Sequence, residues 1–169
     1  MNGAGDPPRL VVLRGNSGSG KSTVAQELRR VSPRRIAIVE QDYLRRKVLK
    51  ERDVAGGDNV DLIDQTVRFA LARGYDVVLE GILATAHYLP MVHELVREAA
   101  PAHLFYLDVS FAETLVRHRQ RPQSVEFGEP EMREWYRSRD LTQLPGELVI
   151  AESSTLAETV GVIRRLSGL

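Results

Sequence analysis

An apolar run ending in GNSGSGKST, residues 15–23, leaves few folds open to this chain. Gly15, Gly20, Lys21 and Ser22 fall on the spacing G-x-x-x-x-G-K-[ST]. A loop of this kind wraps a phosphate in backbone N–H groups. That requires close approach and unusual dihedral angles, which Gly15, Gly18 and Gly20 permit. Lys21 supplies a mobile charge to the β and γ phosphates, and the Ser22 hydroxyl suits Mg²⁺. A helix starting near Lys21 would point its positive end at the anion. The nucleotide-binding set is therefore Gly15, Asn16, Ser17, Gly18, Ser19, Gly20, Lys21, Ser22 and Thr23.

The rest of the chain repeats that strand-then-helix order. Short apolar runs at 9–15, 34–40, 76–82, 103–109 and 147–153 read as strands. Because they are continuous rather than alternating, they suit a parallel sheet covered on both faces, an α/β fold. Helices are expected at 21–31, 58–73 (capped by Asp58 or Asn59, ended by Gly74), 90–99 (with Pro90 in its first turn), 111–120, from near Pro130, and 155–166. The 169 residues amount to one domain, 1–169, with a loose polar tail over 1–8. The stretches 41–75 and 110–146 are the inserts expected to close over a substrate.

Composition narrows the function classes. The absence of cysteine excludes a disulfide framework, a thiolate metal site and a cysteine nucleophile. Net charge is zero, so no overall field draws the chain to nucleic acid or membrane. No apolar run is long enough to span a bilayer, and MNGAGDPPR has no signal-peptide character, so a cytoplasmic location is expected. Of the 23 basic residues 20 are Arg, a bias that suits phosphate recognition but also follows from genome composition.

In an open parallel sheet, ligands lie beyond the carboxyl ends of the strands. Carboxylates there are costly beside a triphosphate unless they hold a metal or accept a proton. Asp42, in EQDYLRR after the second strand, is the candidate base. Glu80 is the candidate for the metal's outer shell or for the substrate. Asp108 reads as a cap toward Phe111. Arg117 and Arg121 share a helix face and are the candidates to stabilise charge on the transferred phosphoryl group. Arg133 and Arg137 repeat that spacing, with pairing to Glu129, Glu131 or Glu134 an equal reading. Phe127, Trp135, Tyr136 and Tyr43 read as hinge packing before ring stacking.

On GNSGSGKST, DYLR, LEGI, YLDVSFAETLVRHRQRP and EFGEPEMREWYRSRD, the chain resembles small P-loop kinases, nearest the group of zeta toxins and chloramphenicol phosphotransferases. The resemblance implies a three-layer fold with five parallel strands in order 2-3-1-4-5 and a lid over about 117–141. It implies ATP and Mg²⁺ as cofactors, Asp42 as base aided by Arg45, Glu80 near metal or substrate, and lid arginines at Arg117 and Arg121. It also implies that adenine lies against about 151–154.

The leading expectation is an ATP-dependent phosphotransferase acting on a hydroxyl of a small molecule: a nucleoside, nucleotide sugar or antibiotic. A polynucleotide 5′-hydroxyl kinase needs a basic groove, so a nucleic-acid partner is not expected from zero net charge. A non-catalytic nucleotide-binding module has no use for Asp42 and Glu80 together. DVAG, residues 53–56, fits the D-x-x-G of a GTPase switch, but follows no apolar strand and has no N-K-x-D partner. The sequence implies no particular oligomeric state.

Overall fold

The computed structural model describes residues 6–120 and 125–169. Five strands, β1 (Leu10–Gly15), β2 (Ile36–Glu40), β3 (Asp76–Gly81), β4 (Ala102–Asp108) and β5 (Leu148–Ala151), form one parallel sheet in order β2-β3-β1-β4-β5. Among the described residues, six α-helices connect and flank them: α1 (Lys21–Val31), α2 (Asp58–Ala72), α3 (Thr85–Glu98), α4 (Phe111–Arg119), α5 (Glu129–Trp135) and α6 (Leu156–Ser167). The order is the one expected for the P-loop kinase fold.

Two apolar layers hold the sheet. Leu10 and Val12 of β1 point into a core shared with α2 and α3, through Ile63, Val67, Tyr88 and Leu95. Val11 and Leu13 point into the opposite core, with Val24 and Leu28 of α1 and Ile163 of α6. This period-two alternation is why β1 has no polar residue until Arg14. Leu28 is fully buried, and truncating it to Ala would cost about 2–5 kcal/mol.

Three local expectations are corrected. First, α3 begins at Thr85, so Pro90 lies inside the helix and forgoes a bond to the Ala86 carbonyl. The earlier turn is needed to deliver Tyr88, which is fully buried. Second, α2 is capped by neither Asp58 nor Asn59. Its N-cap is Gly57, and Glu51 accepts from the N–H groups of Asp58 (2.7 Å) and Asn59 (2.8 Å) and from Asn59 Nδ2 (2.8 Å). A carboxylate from outside the helix does what a local side chain was expected to do. Third, α5 ends at Trp135, so Arg137 lies beyond it rather than on the face of Arg133. Of the tail, residues 1–5 lie outside the described residues, and the carbonyls of Asp6 and Pro7 accept from Arg34. Among the described residues no helix is long and apolar enough to cross a membrane.

Candidate active site

Register brings the strand ends level. Glu40 pairs with Glu80, Arg14 with Gly81, Gly15 with Leu107, and Asp108 with Ala151. The loop from β1 to α1 lies at this edge. Its Gly18 has φ +80°, and a Cβ there would meet the Thr114 carbonyl at 2.7 Å, because α4 packs against it. A glycine N-cap at Gly20 brings no side chain to the first turn of α1, whose positive end lies at this edge. Lys21 is 8% exposed and folds back over the loop, Nζ donating to the Asn16 carbonyl (2.9 Å) and Ser19 Oγ (3.4 Å).

The carboxylates are placed by strand alternation. Val78 and Ile38 face α1, so Glu80 and Glu40, two residues on, face it as well. There Ser22 Oγ donates to Glu80 Oε1 at 2.6 Å, and Glu80 is buried. Burial, then the neighbouring Glu80 charge, pushes the Glu40 carboxyl above its usual range. Among the described residues no group of three His, Asp or Glu forms a metal site by itself. One hydroxyl with a carboxylate behind it fits a Mg²⁺ ion that arrives on nucleotide phosphates and keeps most of its waters. Gly81 is required by close approach: a Cβ there would lie 2.6 Å from Gln41 Cβ.

Beyond the end of β2, Asp42 is 60% exposed at the start of a π-helical turn, Tyr43–Val48. Arg45 Nη2 (2.7 Å) and Arg46 Nη1 (3.4 Å) hold its two oxygens. Arg45 also donates to the Glu51 carbonyl (3.2 Å), which ties the turn at 42–48 to the segment leading into α2. Below them, the Tyr88 hydroxyl accepts from Gln41 Nε2 (3.0 Å) and lies 2.6 Å from Asp53 Oδ1 and 2.8 Å from Asn59 Oδ1. Burial, then Asp53, raises that phenol well above its ordinary range. Asp53 of the D-x-x-G match is thus occupied in a hydroxyl bond.

A cleft of about 540 Å³ opens on the other side of the loop, bounded by Gly20, Val24, Arg117 and residues 150–156. It contains the 151–154 segment expected against adenine. Arg117 spans its mouth: Nη1 donates to the Ser19 carbonyl (3.2 Å), Nη2 to the Glu152 carbonyl (3.1 Å) and Nε to Glu113 (2.7 Å). It therefore ties the phosphate loop to the loop after β5. Arg121 lies outside the described residues, and α4 ends before it at Arg119.

The remaining candidates separate. Asp108 is not the cap of α4. Ser110 is, accepting from Glu113 N at 3.3 Å, while Asp108 lies 3.5 Å from Arg139. Arg133 pairs with Glu129 at 2.6 Å. Phe127 stacks on His118 (4.6 Å between centroids) and meets Trp135 edge-on (5.0 Å), and Tyr136 packs on Phe111, so these aromatics pack α4 against the segment around α5. Tyr43 is exposed. Arg46 reaches Glu126 (3.6 Å) and lies over the Phe127 ring, joining the two inserts. Sequence reasoning missed Arg14 and the 137–140 strap. The signal for Arg14 was visible: one cation closing an otherwise apolar strand.

A family model described as an AAA domain matches residues 10–145, well over half of the chain, and the chain belongs to that family. No curated protein matches it in sequence. Among solved structures it is similar to the APS kinase of Mycobacterium tuberculosis in complex with AMPPNP and APS. That match has TM-score 0.69 and 15% identity, covering 96% of this chain and 99% of that one. It is similar to a gluconokinase from Sinorhizobium meliloti 1021 (TM-score 0.62, 20% identity, 96% and 95% covered). It is also similar to shikimate kinase from Bacteroides thetaiotaomicron (TM-score 0.63, 16% identity, 95% and 98% covered). At these identities the likeness is one of fold.

Proposed function

We propose that this member of the AAA-domain family is an ATP-dependent phosphotransferase that moves the γ-phosphate to a hydroxyl of a small molecule. The observation that carries this is the contact of Ser22 with Glu80 at the mouth of the phosphate loop, with Asp42 following the next strand at the same sheet edge. A passive binder needs the loop but neither carboxylate.

Lys21 and the first amides of α1 bind the β and γ phosphates. Ser22, with Glu80 behind it, would hold Mg²⁺, and that ion would neutralise phosphate charge. Asp42, steadied by Arg45, orients the acceptor hydroxyl and takes its proton as the phosphoryl group transfers. Arg117 closes the nucleotide cleft, and Arg121 is read as the second arginine of a lid spanning about 117–141. Within the fold, DYLR after β2 and LEGI at β3 support a place near zeta toxins and chloramphenicol phosphotransferases.

The test is single-turnover transfer of labelled γ-phosphate against nucleosides, nucleotide sugars and antibiotics. Transfer to none, with nucleotide still bound, would leave a regulatory module. A polynucleotide 5′-hydroxyl kinase is the second reading. It is favoured by Lys47, Lys50 and Arg52, exposed in the ten residues that follow Asp42 in the chain, and short RNAs with 5′-hydroxyl ends belong in the panel.

A further inference from the structure

Arg14 is the residue before Gly15, and strand alternation sends it to the α3 face of the sheet with Leu10 and Val12. Its side chain is 0% exposed. Nε and Nη2 donate to the Leu83 carbonyl (3.2 and 2.9 Å), Nη2 also to Asp140 Oδ2 (3.0 Å), and Nη1 to Glu147 Oε1 (3.0 Å). Asp140 in turn accepts from Thr85 N (2.9 Å) and Thr85 Oγ1, at the start of α3. Glu147 accepts from Thr142 N (2.6 Å) and Oγ1 (2.8 Å). One buried guanidinium thus joins the end of β1, the turn after β3, the strap after α5 and the turn before β5.

The strap is fastened to the phosphate loop as well. Arg137 N donates to Asn16 Oδ1 (2.8 Å), and Asn16 Nδ2 donates to the Arg137 carbonyl (2.7 Å). The turn at the other end carries Leu83 at φ +46°, a left-handed conformation that a leucine holds only when its surroundings impose it. Its carbonyl is the one that receives two Arg14 bonds. Burying a cation with two carboxylates is a poor route to stability, since apolar residues of similar volume do as well or better. A planar fork of five donors fixes angles, which neither an apolar side chain nor a lysine does.

We propose that Arg14 is a positioning residue for the transfer. It couples the phosphate loop, through Asn16, Arg137 and Asp140, to the turn at 83–85, which leaves β3 at the sheet edge where ligands lie. It touches neither nucleotide nor acceptor. Nucleotide that orders the phosphate loop thereby orders the turn at 83–85 and the strap carrying Arg137 and Arg139. The assignment rests on the phosphotransferase reading.

The experiment is hydrogen exchange of the full chain with and without Mg-AMPPNP, on wild type, Arg14→Lys and Thr85→Val, with nucleotide affinity measured alongside. In wild type, nucleotide protects residues 15–23, 137–140 and 83–85. Arg14→Lys is expected to bind within about threefold of wild type and keep protection at 15–23, yet lose most of it at 83–85. Thr85→Val removes one rim bond, shows the same loss at smaller size, and decides the matter if Arg14→Lys does not fold. With an acceptor in hand, Arg14→Lys lowers kcat by about tenfold or more while the KM for ATP moves less than about threefold. Variants that melt earlier but keep wild-type protection at 83–85 overturn the assignment and leave Arg14 structural. Wild-type protection that stops at 15–23 overturns it too. No protection at 15–23 in wild type overturns the phosphotransferase reading itself, and the assignment with it.

Discussion

Asn16 and Arg137 hold each other by two hydrogen bonds, the Asn16 carboxamide accepting from the Arg137 amide at 2.8 Å and donating to its carbonyl at 2.7 Å. A side chain of the phosphate loop thus takes the place of a strand partner for the segment returning from α5. Asn16→Ala leaves the Arg137 amide unpaired at a part-buried position, while its carbonyl keeps the Tyr106 hydroxyl at 3.3 Å, and is expected to cost about 1–3 kcal/mol. The strap should then be cleaved faster by protease in the absence of ligand, with melting temperature and cleavage rate as the measurements. Unchanged cleavage would separate the strap from the loop.

Lys21→Ala should abolish the melting shift produced by Mg-ATP while circular dichroism stays that of the wild type. The ammonium is the main side-chain charge that the loop offers to the β and γ phosphates. An equal shift in the mutant would refute phosphate binding at this loop.

Asp42→Asn keeps the shape of the side chain and removes its use as a proton acceptor. Transfer in single turnover is expected to fall by about 10²–10⁴-fold with ATP affinity little changed. Transfer at the wild-type rate would pass the base role to Glu80.

Arg117→Ala breaks the link between Ser19 and Glu152 across the nucleotide cleft. Sequence spacing alone pointed to a strong fall in kcat with a smaller change in ATP affinity. The geometry adds nucleotide binding, so the KM for ATP is expected to rise by about tenfold, the equivalent of about 1.4 kcal/mol, together with a fall in kcat. Steady-state kinetics separates the two.

Two carboxylates should respond to pH with opposite sign. The Glu40 carboxyl is raised by burial and then by Glu80, so its charged form opposes folding. Its contribution is most favourable below the unfolded pKa and is lost as pH rises through the folded value. Glu40→Gln should therefore raise the melting temperature near about pH 8 and change little near about pH 4. The Glu51 carboxyl is lowered by its bond from the Asn59 side chain and then by backbone amides. Its contribution is present above the unfolded pKa and is lost as pH falls through the folded one. Glu51→Gln should lower the melting temperature near about pH 8, with the gap closing in acid. Melting curves across that range, recorded without nucleotide, test both.

Much was legible in the sequence because the physics involved is local. The apolar runs at 10–13 and 77–79 commit to buried parallel strands, and the glycines and Lys21 of GNSGSGKST commit to a phosphate loop, because dihedral freedom and charge belong to those residues alone. Helices were legible where spacing and ends agreed, as in α6 with its Thr155 cap. Where a cap or a start depended on a distant group, as with Glu51 at α2 or Tyr88 in α3, local reading misplaced it.

By itself the sequence determined the strand-loop-helix that cradles phosphate and the carboxylates at the ends of β2 and β3. Tertiary structure alone decided which of these groups meet. Glu80 reaches Ser22 because β3 lies beside β1 and its alternate residues face α1. Arg14 is buried because the next chain segments to cover β1 bring Asp140 and Glu147 to it from more than a hundred residues away. A charge in an apolar strand is tolerated only when its partners arrive, and no periodicity in the strand encodes which residues those are.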